Sequence, residues 1–214
     1  MTKQRISSEV AADPSIEVAG SVTVERPEQV ADDPWILVTN DDGVGSPGIG
    51  VLADRLSRHH RVVVVAPSED RSGAGTGIGL FDPVAGVELT VVADGHPQVF
   101  SIDGPPGLAV MSAALGAFGS SPRMVVSGIN AGINTGHSVI HSGTVGAALT
   151  ARTFGSHGLA VSVPRSDPWR WDTAAEVAAW VADWMLGRSG RPLALNLNVP
   201  ALPIAELLVG YAVP

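Results

Sequence analysis

Residues 35–48 have the sequence WILVTNDDGVGSPG, and this stretch decides the fold class of the chain. Residues 36–38 form a short apolar run with β-branched members, which is typical of a strand covered on both faces. Ser46 and Pro47 predict the start of a helix, as N-cap and first helical residue, because apolar residues then follow at helical spacing. The stretch therefore predicts a buried strand, a polar turn and a helix.

Three polar residues, Asn40, Asp41 and Asp42, stand where the predicted strand ends. In open α/β sheets, ligands bind beyond the carboxyl ends of the strands. Two adjacent carboxylates repel each other unless a cation lies between them or one of them is protonated. We therefore predict a divalent-metal site at Asp41 and Asp42.

The composition limits the classes of protein that the chain can belong to. Its 214 residues, 45% of them hydrophobic, allow one large α/β domain with a sizeable core. The chain has no cysteine, which excludes disulfides and thiolate zinc sites. A formal charge of −8 argues against nucleic acid as the main partner. No apolar run is long enough to span a bilayer and no signal peptide is evident, so we expect a cytoplasmic protein without a membrane partner.

Residues 1–33 have the composition of an acidic tail, with three positive and seven negative side chains and no aromatic residue. We expect this tail to be mostly disordered, with an accessory strand at residues 16–24 as the alternative. Residues 34–214 are expected to form a single domain.

The order of the predicted elements favours a doubly wound, mostly parallel, Rossmann-like sheet in three layers, with helices on both faces. Buried strands are predicted at 61–66 and 123–127, a hairpin at 87–102, and further strands at 159–163, 193–199 and 207–213. Helices are predicted at 105–118, 143–154 and 173–186. A capping box from Thr173 to Glu176 begins the last helix, and Trp180 and Trp184 are predicted to pack in the core.

Two long glycine-rich loops, at residues 68–79 and 128–144, leave the carboxyl ends of predicted strands. Loops of this length inside a compact domain are usually functional or disordered. Together with the first turn, they bring one set of polar residues to one edge of the sheet: Asp41, Asp42, Ser72, Asn130 and the helix start at Ser142, Gly143 and Thr144. The oxygen donors suit Mg²⁺ or Mn²⁺, and a helix N-terminus with two hydroxyls can bind an anion. A metal beside an anion site is the equipment for cleaving a phosphate ester.

Four motifs in this order resemble the SurE survival-protein family: ILVTNDDG at 36–43, RSG at 71–73, SGINAG at 127–132 and SGTV at 142–145. The resemblance implies a metal-dependent nucleoside monophosphate phosphatase, a 5'/3'-nucleotidase. It implies one divalent metal ion, Mg or Mn, held by Asp41, Asp42, Ser72 and Asn130, with one of the two aspartates taking part directly in phosphoryl transfer. It also implies a phosphate site at Asn134, Ser142, Gly143 and Thr144. The partners that it implies are a nucleoside monophosphate and further copies of the chain, as a homodimer or a higher homo-oligomer.

The chain departs from the family pattern at residues 104–108 and 136–141, and it ends at Pro214, where the family continues into a segment used for subunit exchange. These departures bear on substrate choice and oligomer geometry rather than on the metal site. His137 and His141 are candidate accessory acid–base groups or ligands, against the alternative of solvated loop histidines. Asn40 and Gly73 are the other accessory candidates.

Two other functions are compatible with parts of the sequence. Residues 43–48 match G-x-G-x-x-G between a strand and a helix, which would indicate a dinucleotide-binding oxidoreductase. The carboxylates of Asp41 and Asp42 would repel a pyrophosphate at that place unless a metal were present. The second alternative is a repurposed or non-catalytic family member that binds or acts on another phosphorylated metabolite.

Overall fold

A computed structural model of the chain describes residues 3–6, 34–79, 87–93 and 95–208. The described residues include an eight-stranded sheet in the order β1-β4-β5-β3-β2-β6-β7-β8. The six strands from β5 to β8 in this order run parallel, whereas β4 and β1 pair antiparallel at one edge. The strands are β1 (Lys3–Ile6), β2 (Trp35–Thr39), β3 (Arg61–Pro67), β4 (Val87–Ala93), β5 (Gln98–Ile102), β6 (Met124–Ala131), β7 (His157–Val163) and β8 (Ala194–Asn198).

In the described part of the chain, four α-helices cover the two faces of the sheet: α1 (Pro47–Leu56), α2 (Pro106–Ala114), α3 (Gly143–Thr153) and α4 (Trp171–Leu186). Helices α1 and α4 pack together on one face, and α2 and α3 pack together on the other. The prediction of a doubly wound, three-layer α/β fold is confirmed.

Strand β2 shows why the sequence requires two helical layers. Ile36 and Val38 pack into the core formed with α1 and α4, whereas Trp35 and Leu37 pack into the core formed with α2 and α3. All four side chains are at most 1% exposed. Because successive side chains of a strand point to opposite faces, a continuous apolar run must be covered on both sides.

Several local predictions need correction. The α2 helix is shorter than the predicted 105–118, and β6 continues four residues beyond the predicted strand, to Ala131. Ser46 is the N-cap residue of α1 and Pro47 is its first residue, as predicted, but the Ser46 side chain makes no cap hydrogen bond, and its Oγ accepts one from Asn40 Nδ2 at 2.7 Å. The predicted capping box also fails, since α4 begins at Trp171 and Glu176 pairs with Arg55 instead.

The prediction that Trp180 and Trp184 lie in the core is wrong. They are 49% and 53% exposed, and the buried face of α4 is made of alanines and Met185. Alanine lets α4 approach the sheet closely, so the bulky side chains lie on the opposite, solvent side. The alanines and the tryptophans both recur at helical spacing, so periodicity alone does not distinguish the two faces of α4. The size of the side chains, rather than their hydrophobicity, decides which face packs against the sheet.

The structure describes only parts of the two terminal segments, so it tests the predictions made for them only in part. Residues 3–6, inside the predicted tail, form β1 and pair with β4, while the proposed accessory strand at 16–24 lies outside the described residues. Residues 204–206 form a short 3₁₀ helix, and residues 207 and 208 are not in a strand. The rest of the strand predicted at 207–213 lies outside the described residues.

Candidate active site

The predicted metal-site residues come from three neighbouring parallel strands. Strand β2 lies between β3 and β6, so their carboxyl ends meet at the same edge of the sheet. Asp41 and Asp42 follow β2, Ser72 follows β3, and Asn130 is the second-to-last residue of β6. This is the edge at which ligands bind in open α/β sheets.

Asp41 is bound to the N-terminus of α3. Its carboxylate is 3% exposed and accepts hydrogen bonds from the Gly143 backbone N–H at 3.1 Å and from Thr144 Oγ1 at 2.5 Å. A Cβ on residue 143 would lie 2.8 Å from both Cβ and Oδ2 of Asp41, so glycine is required there. Helix N-termini stabilise negative charge, and Asp41 is therefore a buried carboxylate with its own compensation.

Asp42 lacks such compensation. Its pKa is raised from 3.8 to about 6, first by burial and then by the negative charges of Asp41 and Asp70. A hydrogen bond from the Ala131 backbone acts in the opposite direction and ties Asp42 to the end of β6. An excess of negative charge at a strand end is the environment that a bound cation relieves.

The loop after β3 is held against the Asp41–Asp42 turn by backbone contacts. The backbone N–H of Arg71 donates to the carbonyl of Asp41 at 2.7 Å, and that of Val44 donates to the carbonyl of Pro67 at 2.8 Å. Gly43, at φ +98°, allows the turn to pack on Glu69. These contacts place the turn and the loop side by side.

Within this loop, Ser72 donates both its Oγ (2.6 Å) and its backbone N–H (2.8 Å) to Oδ1 of Asp70. The two bonds lower the pKa of Asp70. Because Ser72 Oγ uses its proton in this bond, its lone pairs remain available to a cation. Asp70 was not predicted as a site residue, although its position two residues before Ser72 is the signal that could have identified it.

Asn130 and Asn134 have different surroundings. Asn130 Nδ2 donates to the carbonyl of Gly132 at 2.7 Å, which leaves its carbonyl oxygen as the group for a metal. Asn134 is 7% exposed, and its Nδ2 donates to Ser162 Oγ at 2.9 Å. In this structure the Asn134 amide nitrogen is thus bound to protein, and its implied contact with phosphate stays a prediction.

The predicted anion site at α3 is also partly occupied by protein groups. Gly143 N–H and Thr144 Oγ1 bind Asp41, and Ser142 Oγ caps the helix by accepting from Val145 N at 3.2 Å. Two of the three residues implied for the phosphate site at α3 thus also bind Asp41, and their contact with phosphate stays a prediction. The buried hydroxyl of Thr144 holds Asp41, while Ser142 keeps its own proton as a donor.

The donor set fits a hard cation. Within the described ranges, no group of three or more His, Asp or Glu side chains is arranged to hold a metal, so a ligand set must include neutral oxygens. Ser72 and Asn130 supply these beside Asp42 and Asp41. In addition, Asn40 Oδ1 is buried at the same strand end without a partner in the described structure, although Asn40 Nδ2 binds Gly43 and Ser46. Carboxylate, hydroxyl and amide oxygens together suit Mg²⁺ or Mn²⁺.

The other accessory candidates lie around this edge. Gly73 has φ +87° with open space around it, so its conformation rather than its closeness to another group requires glycine. His137 and His141 are exposed within a 3₁₀ helix, Gly136–His141. The carbonyl of His141 accepts from Gly75 N at 3.1 Å, which joins the two glycine-rich loops. Roles of the two imidazoles in chemistry stay predictions.

Two of the three glycines that suggested a dinucleotide site pack closely against other parts of the chain. Gly43 packs on Glu69, and a Cβ on Gly48 would collide with the carbonyl oxygen of Ile129 in β6. Gly45 has nothing within 4 Å of its Cβ position. The fingerprint thus reflects close contact between the first turn, the β3 loop and β6.

Comparison with known proteins decides the family. The family model described as "Survival protein SurE" matches residues 36–213. The chain belongs to the SurE family. A 5'-nucleotidase SurE from Chloroflexus aggregans is 45% identical over 171 residues, which are 78% of this chain and 67% of that protein. One from Alkalilimnicola ehrlichii is 44% identical over 174 residues, 80% of this chain and 65% of that protein.

A solved structure of the SurE protein from Aquifex aeolicus has a TM-score of 0.71 and 32% identity, covering 81% of this chain and 68% of that one. The predicted family and fold are therefore confirmed. The chain spans about two thirds of the length of these SurE relatives. The relatives carry the name of a nucleotidase, which gives no support to the oxidoreductase alternative.

Two further features lie away from the site. A cavity of about 220 Å³, lined by Pro34, Trp35, Ile36, His60, Arg123 and Leu186, lies at the amino ends of the strands, on the opposite edge of the sheet. In the part of the chain that the structure describes, none of the helices has the length and apolar character needed to cross a bilayer.

Proposed function

We propose that this SurE-family chain is a divalent-metal-dependent phosphomonoesterase that hydrolyses nucleoside monophosphates to nucleoside and phosphate. The observation that carries the proposal is the pair of adjacent aspartates at the carboxyl end of β2. Asp41 accepts hydrogen bonds from the N-terminus of α3, whereas Asp42 has a raised pKa among other carboxylates. Family membership supports the same reaction class, since the relatives are named 5'-nucleotidase.

A metal bound here, Mg²⁺ or Mn²⁺, would supply positive charge for the phosphoryl oxygens and lower the pKa of a bound water. Asp42, Ser72 and Asn130 would hold it, with Asp41 as the fourth group. Asp41 has a second task, because it fixes the start of α3 relative to the metal side of the site. The phosphate would then lie between the metal residues and the start of α3, where Ser142 presents a hydroxyl.

The experiment is a panel of nucleoside monophosphates and other phosphomonoesters, each tested with Mg²⁺, Mn²⁺ and a chelator. We expect phosphate release that requires metal and is fastest with a nucleoside monophosphate. The Asp41→Asn, Asp42→Asn double variant should lose most of the turnover and the metal affinity, because it removes both anionic groups. Wild-type rates in that variant would show that the site is elsewhere. No release from any ester, despite bound Mn²⁺, would instead favour a repurposed binding protein.

The resemblance also implies self-association as a homodimer or a higher oligomer, and the sequence pattern leads us to expect a cytoplasmic location. Both stay proposals for this chain. Light scattering of the purified protein, with and without Mn²⁺, measures the first.

A further inference from the structure

Asn198, the last residue of β8, binds both the backbone N–H and the backbone carbonyl of Asn134 through its side-chain amide. Its Oδ1 accepts the Asn134 backbone N–H at 2.8 Å, and its Nδ2 donates to the Asn134 carbonyl at 3.1 Å. One side-chain amide thus replaces the two ladder bonds that a neighbouring strand would make. The alternation of Asn196 and Asn198 in the sequence has no other use in the site described above.

Two further hydrogen bonds help to hold Asn134 in place. Asn196 Nδ2 donates to the same Asn134 carbonyl at 2.9 Å, and Asn134 Nδ2 donates to Ser162 Oγ at 2.9 Å. Ser162 is fully buried on β7 and pairs directly with Asn198 in the sheet. We call Asn196, Asn198 and Ser162 the amide clamp. All three residues come from β7 and β8, outside the strands that carry the metal-site residues.

The clamp holds the segment that joins the two halves of the candidate site. Residues 132–142 connect the end of β6, where Asn130 lies, to the start of α3 at Ser142. Most of these residues are exposed. Between the clamp and α3, the carbonyl of His141 binds Gly75 N at 3.1 Å. The end at Asn130 is held by the backbone pairing of Asn130 with Ser162 between β6 and β7, which a side-chain substitution at Asn198 leaves in place. Loss of the Asn198 bonds should thus loosen the segment toward α3 without displacing Asn130.

We propose that Asn198 is a positioning residue: by fixing Asn134 it sets the affinity of the site for the phosphate group and leaves the affinity for the metal unchanged. The inference rests on the proposed function, since it assigns the phosphate to the start of α3. Asn198 acts through the backbone of Asn134 and needs no contact with substrate.

The test compares Asn198→Ala with Asn196→Ala, a matched control that removes one bond to the same carbonyl and leaves Asn198 in place. We expect Asn198→Ala to bind inorganic phosphate in the presence of Mn²⁺ about tenfold more weakly, since two hydrogen bonds that order the segment are lost. The KM for a nucleoside monophosphate should rise by the same factor, with kcat and the Mn²⁺ affinity within about threefold of wild type. Hydrogen exchange at residues 132–142 should accelerate. The control should change each quantity less than Asn198→Ala does.

An isosteric variant provides a second test in case Asn198→Ala does not fold. Asn198→Asp keeps the acceptor for Asn134 N–H but places an oxygen against the Asn134 carbonyl, so it should weaken phosphate binding as well. Unchanged phosphate affinity in folded Asn198→Ala or Asn198→Asp would overturn the proposal, as would an equal loss of Mn²⁺ affinity. It would also be overturned if wild type bound no phosphate with Mn²⁺. If wild type binds phosphate yet hydrolyses no ester, the proposed function fails, and the phosphate affinities and hydrogen exchange still decide the role of Asn198.

Discussion

Removing the charge of Asp42 should stabilise the metal-free protein. The pKa of Asp42 is raised from 3.8 to about 6 by burial and by Asp41 and Asp70. The folded state thus binds the proton more tightly than the unfolded state does. The stabilisation from this proton is fully present below pH 4 and is lost as the pH rises through 6. Asp42→Asn has the shape of the protonated acid and should keep that stabilisation at every pH.

The magnitude follows from the difference between the two pKa values. A difference of about two, at about 1.4 kcal/mol for each pKa unit, gives roughly 3 kcal/mol as an upper value at pH 7.5. Asp42 is partly exposed, and solvent screening reduces this to about 1–2 kcal/mol. For a chain of this size, the midpoint of thermal unfolding should rise by about 2–8 °C.

The assay is urea or thermal unfolding of wild type and Asp42→Asn in a chelator, at pH values from 4 to 8. We expect the two stabilities to agree below about pH 4, the gap to open between pH 4 and 6, and the variant to stay more stable by a nearly constant amount above pH 6. Adding Mn²⁺ should stabilise wild type more than the variant and so reduce the gap. A variant that is less stable than wild type at pH 7.5, or a gap that does not depend on pH, would refute the assignment of uncompensated charge to Asp42.

Three other substitutions test separate contacts. Thr144→Val removes a fully buried hydroxyl that donates to Asp41. We expect the free energy of unfolding in urea to fall by about 1–3 kcal/mol and the turnover to be lower, whereas Thr144→Ser should remain close to wild type. Gly146→Ala places a methyl group against a carbonyl oxygen of the β3 loop and should cost about 1–3 kcal/mol, whereas Gly50→Ala, with open space in α1, should gain up to about 1 kcal/mol. Trp184→Gln should change the free energy of unfolding by no more than about 0.5 kcal/mol, because the side chain is 53% exposed; a loss of 3 kcal/mol or more would mean that it is buried after all.

The fold was predictable because its strongest signals are local and repeated. Residues 35–39 form a continuous apolar strand, and only a sheet with helices on both faces buries such a run. The position of the proposed metal-site residues at one edge was predictable for the same reason, since each lies at or beyond the carboxyl end of a strand that the sequence marks with polar residues or glycine. Strand order then brought Asp42, Ser72 and Asn130 to one edge without further information.

The predictions that failed depend on contacts between distant parts of the chain. The partner of Glu176 is Arg55, 121 residues away, so a capping box that is correct as a local pattern is not used. Ser46 is the predicted N-cap residue of α1, but its Oγ accepts a hydrogen bond from Asn40 and none from a backbone N–H of its own helix. The hydrogen bonds of the amide clamp join Asn134 to Asn196 and Asn198, which lie 62 and 64 positions further along the chain. A hydrogen-bond pattern in sequence shows which groups can bond, whereas the fold decides which of the competing partners lies closer.

The two adjacent aspartates should respond to the same substitution in opposite directions. Their partners in the structure differ. Asp41 binds Gly143 and Thr144 of α3, whereas Asp42 is bonded to the backbone of Ala131 at the end of β6. Asp41→Asn puts an amide N–H₂ where one of two donors now binds, and we expect it to cost about 1.5–3 kcal/mol in urea unfolding of the chelated protein. Asp42→Asn should stabilise the same protein at pH 7.5. If both variants shifted stability in the same direction, the two carboxylates would share one environment, and the division between an anchoring aspartate and a metal-binding aspartate would not hold.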